Sequence, residues 1–162
     1  MKKEILIREF IQKVWNEKDF DSITKYVAPG YTINNDPSDL WEGRTLNFEE
    51  FAMRLEYTFD SFPDVNFEIQ TAISDEDCVS TTWLMTGTNS GKNGAFPPTN
   101  RTIRTEGSTK YHFNGGKICG HTQVLGIRTI MKQTKLFKPG IDENQKAFAI
   151  MRSLVLNPSQ PN

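Results

Sequence analysis

Metal-ligand residues are scarce in this chain of 162 residues, which has only 2 cysteines and 2 histidines. Two isolated histidines and two separated thiols do not make a zinc pattern, whose ligands come in closely spaced pairs. No metal and no cofactor is expected. Cys78 and Cys119 fall in stretches that read as strands, so each is expected to be a buried free thiol in a reduced, cytoplasmic protein. Charge of one sign is also lacking. The 19 Lys and Arg are matched by 20 Asp and Glu, and no basic stripe of the kind that tracks nucleic acid is visible. Long apolar runs are absent, so no membrane span is expected. Met1-Lys2-Lys3-Glu4 leads into an amphipathic pattern rather than the apolar core of a signal peptide. There is no phosphate-binding glycine motif and no G-x-S-x-G elbow, and Gly91-Lys92-Asn93-Gly94 reads as a flexible loop. What the chain does have is 36% apolar and 11% aromatic residues, enough for one domain with a substantial core.

Periodicity divides it into helices and then strands. Residues 4–17 read as a helix with Ile7, Phe10, Ile11, Val14 and Trp15 on one face. A short helix after Asp19 covers Ile23, Tyr26 and Val27 and stops at Ala28-Pro29-Gly30, before a short strand from Tyr31 to Asn35. Asn47 and Glu50 form a capping-box pattern. Behind it, Phe48, Phe51, Ala52, Leu55, Phe59 and Phe62 predict a third helix ending before Pro63. From Val65 the period becomes two. Val65, Phe67, Ile69, Thr71 and Ile73 alternate with polar neighbours, and a turn at Ser74-Asp75-Glu76-Asp77 leads to a strand from about Cys78 to Thr88. Residues 89–100 form a Gly/Pro-rich loop. Strands from Arg101 to Phe113 and from Lys117 to Leu125 flank the hairpin turn Asn114-Gly115-Gly116. Helices followed by a meander of strands is an α+β order. Residues 1–138 are expected to form one domain. Residues 139–162 form a C-terminal extension in which Asp142 and Gln145 cap a helix striped by Ala147, Ile150, Met151, Leu154 and Val155.

Several fragments carry a family resemblance. Val14-Trp15-Asn16-Glu17-Lys18-Asp19 and Ala28-Pro29-Gly30-Tyr31 come first. Gly87-Thr88-Asn89, Pro98-Thr99-Asn100-Arg101 and Gly116-Lys117-Ile118-Cys119-Gly120-His121 follow in the same order. The series resembles the SnoaL-like polyketide cyclases, a branch of the NTF2-like folds. The resemblance implies an α+β cone: a curved antiparallel sheet packed against N-terminal helices and wrapped around a cavity for a small apolar or aromatic molecule, often dimeric through the sheet. It also implies cofactor-free acid/base chemistry, with an aspartate five residues after the histidine of the last strand. Here that count lands on Gly126, and no Asp or Glu lies between Glu106 and Asp142.

The candidate catalytic groups are therefore His112 and His121. His121 is opposite in parity to Gly126, so an unbulged strand would turn it away from the cavity, towards a sheet face or a dimer interface. His112 shares parity with Arg104, Glu106, Ser108 and Lys110, a polar set. Trp15, Phe59, Trp83 and Met85 are candidate ligand contacts, with core packing as the alternative. Tyr31, Asn34 and Asn89 are candidate polar contacts, with turn and strand-end roles as the alternative for the asparagines. Asp36, Asp39 and Asp64 read more simply as turn and cap residues. A homodimer is expected from the apolar alternation on both sides of the strand around Trp83, with Leu84 opposite. Two functions compete: a cofactor-free cyclase or isomerase using another group in place of the aspartate, and a non-catalytic module that binds a small molecule or docks a protein.

Overall fold

The structure is a computed structural model. It describes residues 2–36, 39–94, 97–125 and 133, with the backbone alone for Val124 and Leu125. Gly126 and the extension 139–162, with its expected helix, lie outside the described residues.

Helix α1, Lys3–Phe10, runs on into π-helical turns at Ile11–Asn16. A single turn at Phe20–Ser22, capped by the Asp19 carboxylate, leads into α2, Ile23–Tyr26. The long helix α3, Phe48–Ser61, starts where the capping box predicts. The Glu50 N–H donates to Asn47 Oδ1 at 2.8 Å, and the Asn47 N–H donates to Glu50 Oε2 at 3.0 Å, so two orphan donors are satisfied reciprocally. Pro63 cannot continue the helix. No helix among the described residues is long and apolar enough to cross a membrane.

The strands are β1 (Val27–Asn35), β2 (Thr45–Leu46), β3 (Asn66–Asp75), β4 (Cys78–Thr88), β5 (Thr102–Asn114) and β6 (Lys117–Leu125). They form one six-stranded sheet in the order β2-β1-β6-β5-β4-β3. The meander β3 to β6 is antiparallel as expected. The sheet is mixed, however, because β1 pairs with β6 in parallel. β1 also begins at Val27, running through the Ala28-Pro29-Gly30 segment that reads as a helix stop. Gly30 makes this possible: its φ of +83° suits a residue without Cβ, and the β1–β6 register shifts there. Register shifts also interrupt β3–β4 after Ile69 and β5–β6 after His112, and such bulges bend a sheet.

One face of the sheet is apolar and covered by the helices. Ile7, Phe10, Ile11 and Val14 from the first helix, and Phe51, Leu55 and Phe59 from α3, pack with Val79, Trp83, Met85, Ile103, Tyr111, Phe113 and Ile118. Two close approaches demand glycine. A Cβ on Gly107 would lie 2.3 Å from the Trp83 indole, and one on Gly120 would lie 2.4 Å from the Thr32 carbonyl on β1. The opposite face carries Ser80, Thr82 and Thr86 from β4 and Arg104, Glu106, Ser108, Lys110 and His112 from β5, as alternation requires. Leu84 on that face is only 6% exposed within the single chain.

Candidate functional site

Three segments far apart in sequence deliver a buried polar cluster to the helix-covered face. β1 brings Tyr31 and, just beyond its end, Asp36. β6 brings His121, the cross-strand neighbour of Tyr111. α3 brings Arg54, which lies one turn from Phe51 on the apolar side of the helix. Asp39 joins them from the turn before Trp41, whose N–H donates to its Oδ1.

His121 is 1% exposed, so the expectation that it faces outward is overturned. That expectation fixed the strand's faces on Gly126. In the structure the inward residues of β6 are those opposite Tyr111 and Thr109, namely His121 and Gln123. His121 Nδ1 lies 2.7 Å from the Tyr31 hydroxyl, and Nε2 lies 2.9 Å from Asp36 Oδ2. A carboxylate only accepts, so Nε2 carries the proton and Nδ1 accepts from the phenol. Beyond Asp36, the Arg54 guanidinium donates through Nε to Asp39 Oδ2 at 2.6 Å, with its Nη2 4.0 Å from Asp36 Oδ2. The result is a line from Tyr31 through His121 and Asp36 to Arg54 and Asp39.

Burial dominates the electrostatics. It pushes the Tyr31 phenol well above the ordinary value of 10.0 and Tyr111 up to about 12. For Arg54 burial acts against the charged form, yet Asp39, then Tyr31 and Asp36, outweigh it and hold the guanidinium charged. For His121 burial prevails over the hydrogen bond to Asp36, with Arg54 adding to the depression, so the imidazole sits below 6.5. Asp36 Oδ1 has no hydrogen-bond partner among the described residues. Asp36, Asp39 and His121 also offer ligand atoms within 4.8 Å of one another, a spacing that could hold a metal ion. Arg54, however, already supplies a cation beside both carboxylates.

A pH dependence follows. The unfolded chain takes up the His121 proton near 6.5, before the folded protein does. Stability that is full above pH 6.5 is therefore lost as the pH falls below it. His112 is lowered too, first by burial and then by Lys110, and contributes in the same direction, less strongly because it is only partly buried. Urea denaturation between pH 5 and pH 8 should show this loss, and His121→Gln should flatten it. An unchanged pH profile in that variant would remove His121 as the source.

The other candidates divide. Trp15, Phe59 and Trp83 are brought into one aromatic wall: Trp15 meets Phe59 at 6.1 Å and Phe67 at 5.1 Å, and Phe67 meets Trp83 at 5.5 Å. Met85 is buried as the cross-strand partner of Phe67. Arg54 lies 5.6 Å over the Trp15 ring, so it joins this wall to the polar line. Asn34 stays at the strand end, where its amide donates to the Thr32 and His121 carbonyls. Asn89 clips the loop that follows β4, donating from Nδ2 to the Pro97 carbonyl and the Thr99 hydroxyl. Asp64 likewise secures Thr88. His112 lies on the opposite face, next to Cys78 and Thr122. Sequence reasoning missed Gln123, which accepts from the Thr109 hydroxyl at 2.9 Å, while that hydroxyl accepts from Trp83 Nε1 at 2.8 Å.

Comparison with known proteins agrees with the architecture. The family profile of SnoaL-like polyketide cyclases matches residues 5–134. The crystal structure of a candidate polyketide cyclase from Acidithiobacillus ferrooxidans is similar at 34% identity and a TM-score of 0.73, over 81% of this chain and 93% of that one. IdmH from Streptomyces antibioticus, also described as a candidate polyketide cyclase, superposes with a TM-score of 0.71 at 20% identity, over 83% of this chain and 99% of the other. A SnoaL-like polyketide cyclase from Agrobacterium tumefaciens gives 0.65 at 20% identity, over 79% and 94%. The last two are likenesses of fold alone. No curated protein matches the sequence.

Proposed function

The chain belongs to the SnoaL-like polyketide cyclase family, and from that membership we propose that it holds a small apolar or aromatic molecule and acts on it by cofactor-free acid/base chemistry. The observation that supports this is His121, buried and held on both ring nitrogens by Tyr31 and Asp36. With its pKa lowered, the imidazole is a free base at neutral pH. A proton leaving an enolisable carbon passes to the Tyr31 oxygen as the Tyr31 proton moves to His121 Nδ1. Asp36 keeps the ring oriented and balances the imidazolium that forms. Asp36, just beyond β1, thus brings a carboxylate to the site as an orienting group, a different role from the acid/base aspartate that the resemblance implies near Gly126. Arg54 uses Nε for Asp39, with Nη2 4.0 Å from Asp36, and its positive charge favours a developing enolate oxygen nearby. Trp15, Phe59, Trp83 and Met85 form the apolar side of the ligand's surroundings.

The test is aldol cyclisation of an aromatic polyketide methyl ester, followed by chromatography. His121→Asn and Tyr31→Phe should each lower the rate about 100-fold or more, while His112→Ala leaves it unchanged. Full activity in His121→Asn would remove the proposed base. A second reading, a non-catalytic binding protein, draws on the same burial, since Tyr31 is only 2% exposed. Quenching of tryptophan fluorescence by the ester, with no turnover by the native protein, would favour it.

A further inference from the structure

We infer that Cys78 and His112 form a thiol–imidazole pair that makes Cys78 a site of exchange with small disulfides, on the sheet face opposite the proposed active site. Cys78 opens β4 and is the direct cross-strand partner of His112, so both side chains project from the same face. Cys78 Sγ lies 3.9 Å from His112 Nδ1, and His112 Nε2 lies 3.3 Å from the Thr122 hydroxyl oxygen. The β6 residue directly opposite His112 is Gly120. With no side chain there, the ring reaches diagonally to Thr122. When Thr122 accepts the Nε2 proton, Nδ1 presents its lone pair to the thiol, giving a nucleophile, a base and a third group that orients the base.

The surroundings suit this use. Cys78 is a free thiol and only half-buried, in contrast to the sealed cysteine the sequence suggests. Burial, with Lys110 adding to it, holds His112 below 6.5, so at neutral pH the ring is unprotonated and can accept. The charged neighbours on this face oppose one another. Lys110 lies two residues along β5 from His112, and Asp75 is the β3 partner of Cys78, so the two neighbouring charges are of opposite sign. With those charges offset and both side chains exposed, the adjacent proton acceptor decides the reactivity. Cys119 is the internal comparison: it is half-buried and free too, but it has no imidazole contact among the described residues.

In the exchange, the thiol proton moves to His112 Nδ1 and the sulfur attacks one sulfur of a low-molecular-weight disulfide. The old S–S bond breaks, and the departing sulfur leaves with the bonding pair and takes up a proton. Cys78 is oxidised to a mixed disulfide and the reagent is reduced to one thiol. None of this draws on the acid/base reading of His121.

The experiment treats the full chain at pH 7 with dithiobis(nitrobenzoate) and, separately, with glutathione disulfide, and follows each cysteine by peptide mass. Cys78 should react about 10-fold faster than Cys119, and His112→Ala should bring it down to the Cys119 rate while the circular dichroism spectrum is unchanged. Equal rates for the two cysteines in the native protein, an unchanged Cys78 rate in His112→Ala, or no mixed disulfide at Cys78 would each overturn the inference.

Discussion

Replacing Arg54 with methionine is expected to lower folding stability by about 3–5 kcal/mol, because it removes one partner of a buried ion pair and leaves the other charged. Arg54 is 7% exposed, with Asp39 at 2.6 Å and Asp36 at 4.0 Å. Methionine fills much of the same space, so the loss reports the stranded carboxylates rather than a cavity. Urea denaturation at pH 7 measures it. Pairing the change with Asp39→Asn should recover part of the loss, since the neutral amide no longer needs a cation. A cost below about 1 kcal/mol, the range of exposed ion pairs, would mean that the carboxylates reach water and that the cluster is not sealed.

A second large effect is expected at the other support of the site. Phe51 is fully buried and meets Tyr31 edge-on, with ring centroids 4.8 Å apart, and Phe10 at 6.4 Å. Phe51→Ala should cost about 3–5 kcal/mol in the same assay, the sum of lost burial and the cavity left behind. Phe51→Leu should cost clearly less, because it keeps most of the volume. The alanine variant also frees the Tyr31 ring to move, which loosens the hydroxyl set against His121. Similar losses for the two variants would show that the site collapses around the gap.

The sequence reveals elements better than meetings between them. The third helix and the strand Cys78–Thr88 follow from local signals, a cap in one case and an alternation broken only at Leu84 in the other. The parallel contact of β1 with β6 does not, since no local pattern encodes which distant strand will be a neighbour. The site has the same character. Tyr31 and His121 are legible one at a time, but their hydrogen bond belongs to that long-range pairing. Asp36 and Asp39 look like turn residues, and Asp39 does cap the turn at Trp41 while also holding Arg54. Arg54 itself had a signal: a cation three residues from Phe51 and next to Leu55 sits on the apolar side of its helix, and a charge there needs a buried partner. Gln123 had one too, sharing parity with His121.

The pairing of β1 with β6 also has a consequence for the order in which the protein is made. The hairpins from β3 to β6 join neighbours in the chain and can form early, whereas Val27 must wait for Ile118 at the other end of the domain. Closing so long a loop is slow and gains nothing until it is complete. Tyr31 and Asp36 travel with β1, and His121 waits on β6. The proton line therefore exists only after that pairing has formed, and a ribosome-bound chain that has not yet released β6 carries every one of its earlier residues without the site.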